Sequence, residues 1–195
     1  MPRKKSSRPK QSYVAAIRAL DREKLGDLWV AIKLGTTPDW PDGWALEHMI
    51  IRLFEIDGAS VVYPFNVPIR ELRNVEQIDG FVQAKGISAL IETKDYKDRL
   101  NVEPIAKLRN QLARRPAGLV GCIFNRGGFT DQALILAGYM APQALLLWTP
   151  QEIDAVVEGE NIVDALVTKH SRLLQEGVPY FDFRGVKPGG TLYSR

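Results

Sequence analysis

Residues 76–98 read EQIDGFVQAKGISALIETKDYKD, and the pattern of the whole chain turns on them. Residues 76–83 and 87–94 are strand candidates. The Ala84-Lys85-Gly86 step between them is a tight-turn signal, so the stretch predicts a β-hairpin. Side chains two apart share a strand face, which sends Leu90, Glu92 and Lys94 to one side and Ile91 and Thr93 to the other. Asp79 falls near the start of the first strand, and Glu92 and Lys94 at the end of the second. Two carboxylates and an ammonium therefore converge at one end of the hairpin. Charges that follow Ala89-Leu90-Ile91 into a core are costly unless they are paired or hold a cation.

The flanking segments complete an α/β pattern. Residues 12–34 have helical periodicity, with Gly26 expected to break them in two, and a Pro-containing loop leads to a helix expected to open on an Asp42 cap. Leu46, Met49, Ile50, Leu53 and Phe54 form that helix's core stripe, with Glu47 at its margin. A strand is expected over 60–65. After the charged run 95–99 come a basic helix (104–114), an apolar strand (118–124), a helix (130–139) and a buried strand (143–148). Thr149-Pro150-Gln151-Glu152 is a capping box that starts the next helix, and a final amphipathic helix spans 161–175. This order predicts a central mixed β-sheet flanked by helices on both faces. The divisions are a basic disordered tail (1–11), an N-terminal helical segment (12–40), a core (41–153), C-terminal helices (154–176) and an extended arm (177–195).

Composition narrows the chemistry. The 195 residues are 45% hydrophobic and 25% charged, which suits one globular domain. A lone cysteine, Cys122 within an apolar strand, excludes disulfide frameworks and Cys-cluster zinc sites. No apolar run approaches the ~20 residues of a membrane span, and the basic N-terminus lacks the apolar segment of an export signal. A soluble, cytoplasmic protein is expected. The GxxxxGK[ST] and GxGxxG phosphate loops are absent. The Gly127-Gly128-Phe129-Thr130 segment is better explained as a strand-to-helix turn ending in a Thr130 cap than as a phosphate cradle. His48 and His170 have no second ligand at metal spacing and are expected on a helix surface or flank.

Asp79, Glu92 and the Thr93 carbonyl would suit Mg²⁺, which takes few protein carboxylates and keeps several waters; Mn²⁺ would substitute. Lys94 would hold or polarise an attacking water beside the metal. The bland alternative is an ion-paired sheet end. The arrangement resembles the restriction-endonuclease-like superfamily with its PD-(D/E)xK signature, most closely the Mrr-type branch. The resemblance runs from Gly43 to Ile153 through Glu47, the Ile78-Asp79-Gly80 step, Glu92-Thr93-Lys94, the basic helix and the apolar strand into Gly128-Phe129-Thr130. It implies Asp79 and Glu92 as metal ligands, Lys94 as catalytic lysine and Glu47 as an auxiliary acid. The proline that precedes the first acid in that signature is Ile78 here. Asp95-Tyr96-Lys97 also satisfies (D/E)xK, but it follows the apolar strand and reads as a solvated turn.

The expected function is a Mg²⁺-dependent DNA endonuclease. Lys97, Arg99, Lys107, Arg109, Arg114 and Arg115 would grip the DNA backbone, contacts that position without reading sequence. Five of the 26 basic residues, Arg3, Lys4 and Lys5 among them, lie in the first ten positions with no acid, leaving 21 basic against 23 acidic groups elsewhere. That tail can gain affinity from phosphates by counterion release. The alternatives are a non-catalytic nucleic-acid-binding or assembly module on the same fold, and a structure-specific junction resolvase. A homodimer is expected if both strands are cut, with the N-terminal helices and the last helix as the interface, against ordinary packing of those helices on their own sheet.

Overall fold

The computed structural model describes residues 10–63, 65–69, 72–139 and 143–185. Its centre is β5 (Ile87–Lys94), whose side chains are buried from Ala89 through Thr93, the mark of a strand covered on both faces. β4 (Gly80–Ala84) pairs with it antiparallel, and β1 (Ser60–Val62) pairs antiparallel with β4 at the edge. On the other side β6 (Leu119–Asn125) and β7 (Ala144–Trp148) continue the sheet in parallel, giving the order β1-β4-β5-β6-β7. Lys85 (φ 47°) and Gly86 (φ 80°) both turn left-handed to close the β4–β5 hairpin. Positive φ at both turn residues matches the twist of a two-residue hairpin.

Helices cover both faces. One face carries α1 (Lys10–Arg18), α2 (Arg22–Leu34), α3 (Trp44–Ile56), α6 (Pro150–Glu158) and α7 (Ile162–Glu176) over a core that includes Trp29, Phe54, Ile91, Phe124, Trp148 and Leu166. The other carries α4 (Val102–Ala113) and α5 (Asp131–Gly138) over Ile78, Leu90, Leu108, Ile123 and Leu147. Thr130 caps α5 by accepting from Ala133 N, and Thr149 with Glu152 forms the reciprocal capping box of α6.

Several expectations are corrected. The strand expected over 76–83 breaks at Asp79: Leu72–Ile78 is β3, which pairs with β2 (Phe65–Ile69) in a separate two-stranded sheet. Gly80 opens β4 and packs closely under α3, where a Cβ would lie 2.2 Å from Ile51 Cδ1. The N-terminal helical segment divides at Asp21, whose carboxylate accepts from Lys24 N, and Gly26 remains inside α2. An interior glycine costs a helix only about 1 kcal/mol. α3 is capped by Gly43 (φ 82°) with no side-chain cap bond, so Asp42 is not its cap. The stretch after Gly177 is no free arm as far as Gly185: Leu147 N donates to Pro179 O at 2.9 Å, and Phe183 is buried near Trp148. It covers the outer edge of β7, a standard way to blunt an edge strand. The first nine residues and 186–195 lie outside the described residues.

Candidate active site

Asp79 sits where the chain leaves the small sheet for the central one, beside the C-terminal end of β5. Its Oδ2 accepts two bonds from Thr93, from the backbone N at 2.6 Å and from Oγ1 at 2.9 Å. These bonds aim the carboxylate at the strand end. Glu92 is 1% exposed, and its Oε1 accepts from Lys94 Nζ at 2.5 Å and Lys107 Nζ at 3.3 Å. Its Oε2 is buried with no hydrogen-bond partner. Leaving a buried carboxylate oxygen unpaired is expensive, so the position fits an ion that the side chains alone do not supply.

The electrostatics agree. Burial, and next the Glu92 charge, push the Asp79 carboxyl up to about 6, against the opposing bonds from Thr93. Burial pulls Lys94 down, but the charges of Glu92 and Asp79 outweigh it and leave the ammonium above its ordinary value. Lys94 is thus a fixed cation at neutral pH. Among the described residues no three of His, Cys, Asp and Glu cluster for a metal. The oxygens that could hold a cation here are those of Asp79 and Glu92, with the Thr93 carbonyl as the expected third, a hard oxygen set of the sort that Mg²⁺ completes with water.

Glu47 lies on the first turn of α3, partly buried. Near it stands Tyr63, which no sequence motif marks: burial, then the charge and hydrogen bond of Glu47, then the charge of Asp79 raise its hydroxyl. Tyr63 Oη also lies 2.7 Å from His48 Nε2. His48 is not on the surface as expected. It is 1% exposed among Tyr13, Trp40, Trp44 and Tyr63, and burial pushes it down to about 4, so the ring is neutral.

The remaining candidates divide by place. Lys107 faces Glu92 from α4, while Lys97 and Arg99 are exposed on the loop that follows β5. Arg109 bonds Gln143. Arg114 and Arg115 stand at the far end of α4, where Arg115 helps line an apolar groove with Ser88 and Leu119, near the starts of β5 and β6. Arg3, Lys4 and Lys5 lie outside the described residues. Cys122 is buried and pushed up to about 12 by that burial, which makes it inert packing. Gly127 packs against the main chain of Lys97 and Asp98, with a Cβ there only 2.2 Å from Asp98 O, so the glycines of this turn serve close packing of two loops.

Asp95 differs from its expected solvated state. It is paired with Arg126 at 2.6 Å, and both side chains are largely buried.

A restriction endonuclease family model, the Mrr catalytic domain, matches residues 42–157. No curated protein matches the chain. Among solved structures, a protein of unknown function, AF1548, is similar at 19% identity over 68% of this chain and 77% of that one, with a TM-score of 0.40. The MspJI restriction endonuclease, solved in complex with a 27-mer oligonucleotide, is similar at 16% identity with a TM-score of 0.44. That match covers 95% of this chain and 41% of the MspJI chain.

Proposed function

The chain belongs to the Mrr catalytic-domain family of restriction endonucleases, and from that premise we propose that it is a Mg²⁺-dependent endonuclease that hydrolyses DNA phosphodiester bonds at Asp79, Glu92 and Lys94. The observation that carries this reading is the buried, unpartnered Oε2 of Glu92 beside the Asp79 carboxylate.

Asp79, Glu92 and the Thr93 carbonyl would hold the divalent cation, with Mn²⁺ as a substitute. When bound it would offset charge developing on the phosphodiester and acidify a water. The chain's own groups do the rest. Thr93 fixes the orientation of Asp79 through two hydrogen bonds to one oxygen, keeping that carboxylate from rotating away. Lys94, charged and anchored to Glu92, presents donor hydrogens to the attacking water or a phosphate oxygen; as an ammonium it orients and stabilises rather than accepting a proton. Glu47, reached through Tyr63, acts as the auxiliary acid at the rim.

Lys97, Arg99 and Lys107 supply backbone contacts nearest the site, and Arg109, Arg114, Arg115 and the tail residues Arg3, Lys4 and Lys5 extend them. Cutting both strands in one encounter would require a second copy facing the opposite strand. The helices the sequence offered for that contact bury Leu25, Trp29, Ile32, Ile162 and Leu166 in their own core, so their apolar stripes no longer argue for an interface.

The test is cleavage of supercoiled, linear and junction DNA with Mg²⁺ or Mn²⁺, with and without chelator. Chelator-sensitive cleavage lost in Asp79→Ala supports the reading; no cleavage of any DNA form by folded wild-type protein overturns it in favour of a binding module. Exclusive cutting of junctions would identify a resolvase.

A further inference from the structure

Arg126 follows β6 and makes an unusual set of contacts. Its backbone N donates to Lys94 O at 3.4 Å, its Nε meets Asp95 Oδ1 at 2.6 Å, and its Nη2 donates to Asp95 O at 3.4 Å. The other arm of the guanidinium, Nη1, donates to Ile32 O at 3.0 Å and Lys33 O at 3.1 Å. Those two carbonyls belong to the last turn of α2, where a cation is favoured, and Ile32 O also accepts from the capping Gly35 N at 3.0 Å. One side chain therefore joins the main chain just after Lys94 to a helix end more than 60 residues earlier in sequence, which lies before the family-matched range 42–157.

We propose that Arg126 and Asp95 form a positioning latch that holds the strand end carrying Lys94 against α2, so that the N-terminal helical layer is part of the catalytic unit. Asp95, the acid of the second (D/E)xK triplet, thereby has a use other than metal binding. Only a planar guanidinium can serve Asp95 and two carbonyls together, so Lys is no equivalent. The effect on rate rests on the nuclease reading above; the joining of the two segments does not.

Arg126→Ala, Arg126→Lys and Asp95→Asn are compared with wild type in the full chain. Single-turnover cleavage at saturating DNA is expected to fall about tenfold or more, because small misplacements near reacting groups are costly, while DNA affinity stays within about twofold of wild type, no phosphate contact being removed. Added guanidinium is expected to restore part of the rate to Arg126→Ala and none to Asp95→Asn, a response that general loss of stability would not give. By hydrogen exchange, the amides of 92–97 and of 31–36 are expected to loosen together in both Arg126→Ala and Asp95→Asn. Wild-type cleavage rates, a loss confined to DNA affinity, or loosening of one segment without the other overturns the latch. Should Arg126→Ala fail to fold, Asp95→Asn carries the same comparisons. If wild-type protein cuts no DNA, the nuclease reading fails, and hydrogen exchange still decides the latch.

Discussion

Two lysine–glutamate pairs lie on opposite faces of one sheet, each with Nζ 2.5 Å from Oε1, and they do different things. Lys169 and Glu152 are both fully buried. Glu152 accepts from Lys169 through Oε1 and from Thr149 N and Oγ1 through Oε2, and Lys169 also donates to Phe181 O. Every oxygen is occupied, and the pair ties α6, α7 and the C-terminal stretch together. Glu92 and Lys94 are 2% and 20% exposed, and Glu92 keeps a buried oxygen with no partner. Burial also separates the lysines: it lowers Lys169 despite Glu152, whereas at Lys94 the carboxylate charges prevail. The first pair is complete within the protein; the second, next to the Asp79 carboxylate, is where the proposed chemistry is placed.

The largest expected effects break this contrast directly. Asp79→Ala, Glu92→Ala and Lys94→Ala should each lower the cleavage rate by about 10³-fold, the scale of losing a group that stabilises the transition state, with the fold and DNA binding retained. Lys169→Met should leave cleavage per folded molecule near wild type. It should instead cost about 3–5 kcal/mol of stability, since Glu152 is left as an uncompensated buried charge, and adding Glu152→Gln should recover part of that loss. Denaturant melts and single-turnover assays on the same preparations separate the two outcomes. Equal activity losses at both pairs would erase the distinction.

Next comes the response to pH and metal. The folded-state carboxyl of Asp79 is raised from 3.8 to about 6. Its contribution to stability is therefore present below about pH 4 and lost as pH rises through about 6, where folding must keep an unfavourable charge. Metal-free Asp79→Asn should accordingly be more stable than wild type at about pH 7.5 while being inactive. Mg²⁺ should raise the Tm of wild type at that pH and have little effect near pH 5, where protons occupy the site. Thermal melts across pH check this, and a Mg²⁺ shift that persists in Glu92→Gln would move the cation elsewhere.

Glu47→Ala should slow cleavage about tenfold without abolishing it, as for one positioned acid–base group among several; an unchanged rate would make Glu47 a surface acid. The smallest effect belongs to the tail. Deleting residues 1–10 removes five positive charges and should flatten the salt dependence of DNA binding by ~0.9 in log–log slope for each phosphate that the tail neutralises, with the rate at saturation unaltered. A titration across salt concentrations shows whether the slope moves.

Much of the fold was legible because local signals coincided with it. The α3 stripe from Leu46 to Phe54, the Thr149-Glu152 capping box and the Thr130 cap appear where periodicity and capping chemistry place them. The two-residue repeat of a strand likewise sorts Leu90 to the α4 face and Ile91 to the α3 face. The misreadings share one cause. Residues 76–83 read as one strand, yet at Asp79 the chain passes from the small sheet to the central one, where Gly80 packs beside Ile51 of a distant helix. Asp42 looks like a cap, but the turn before α3 places Gly43 there.

By itself the sequence determined most of the elements and the face on which their apolar residues belong, because these follow from spacings of two to four residues along one backbone, and it offered Asp79, Glu92 and Lys94 as candidates through the hairpin and the family resemblance. Only the tertiary structure decided which charges are complete and which are not. Lys107 joining Glu92, Tyr63 meeting Glu47 and His48, Arg126 reaching Asp95 and α2, and Lys169 closing on Phe181 are all contacts between separate elements. Whether a buried carboxylate oxygen finds a donor depends on what packing brings within about 3 Å of it, and no local pattern records that.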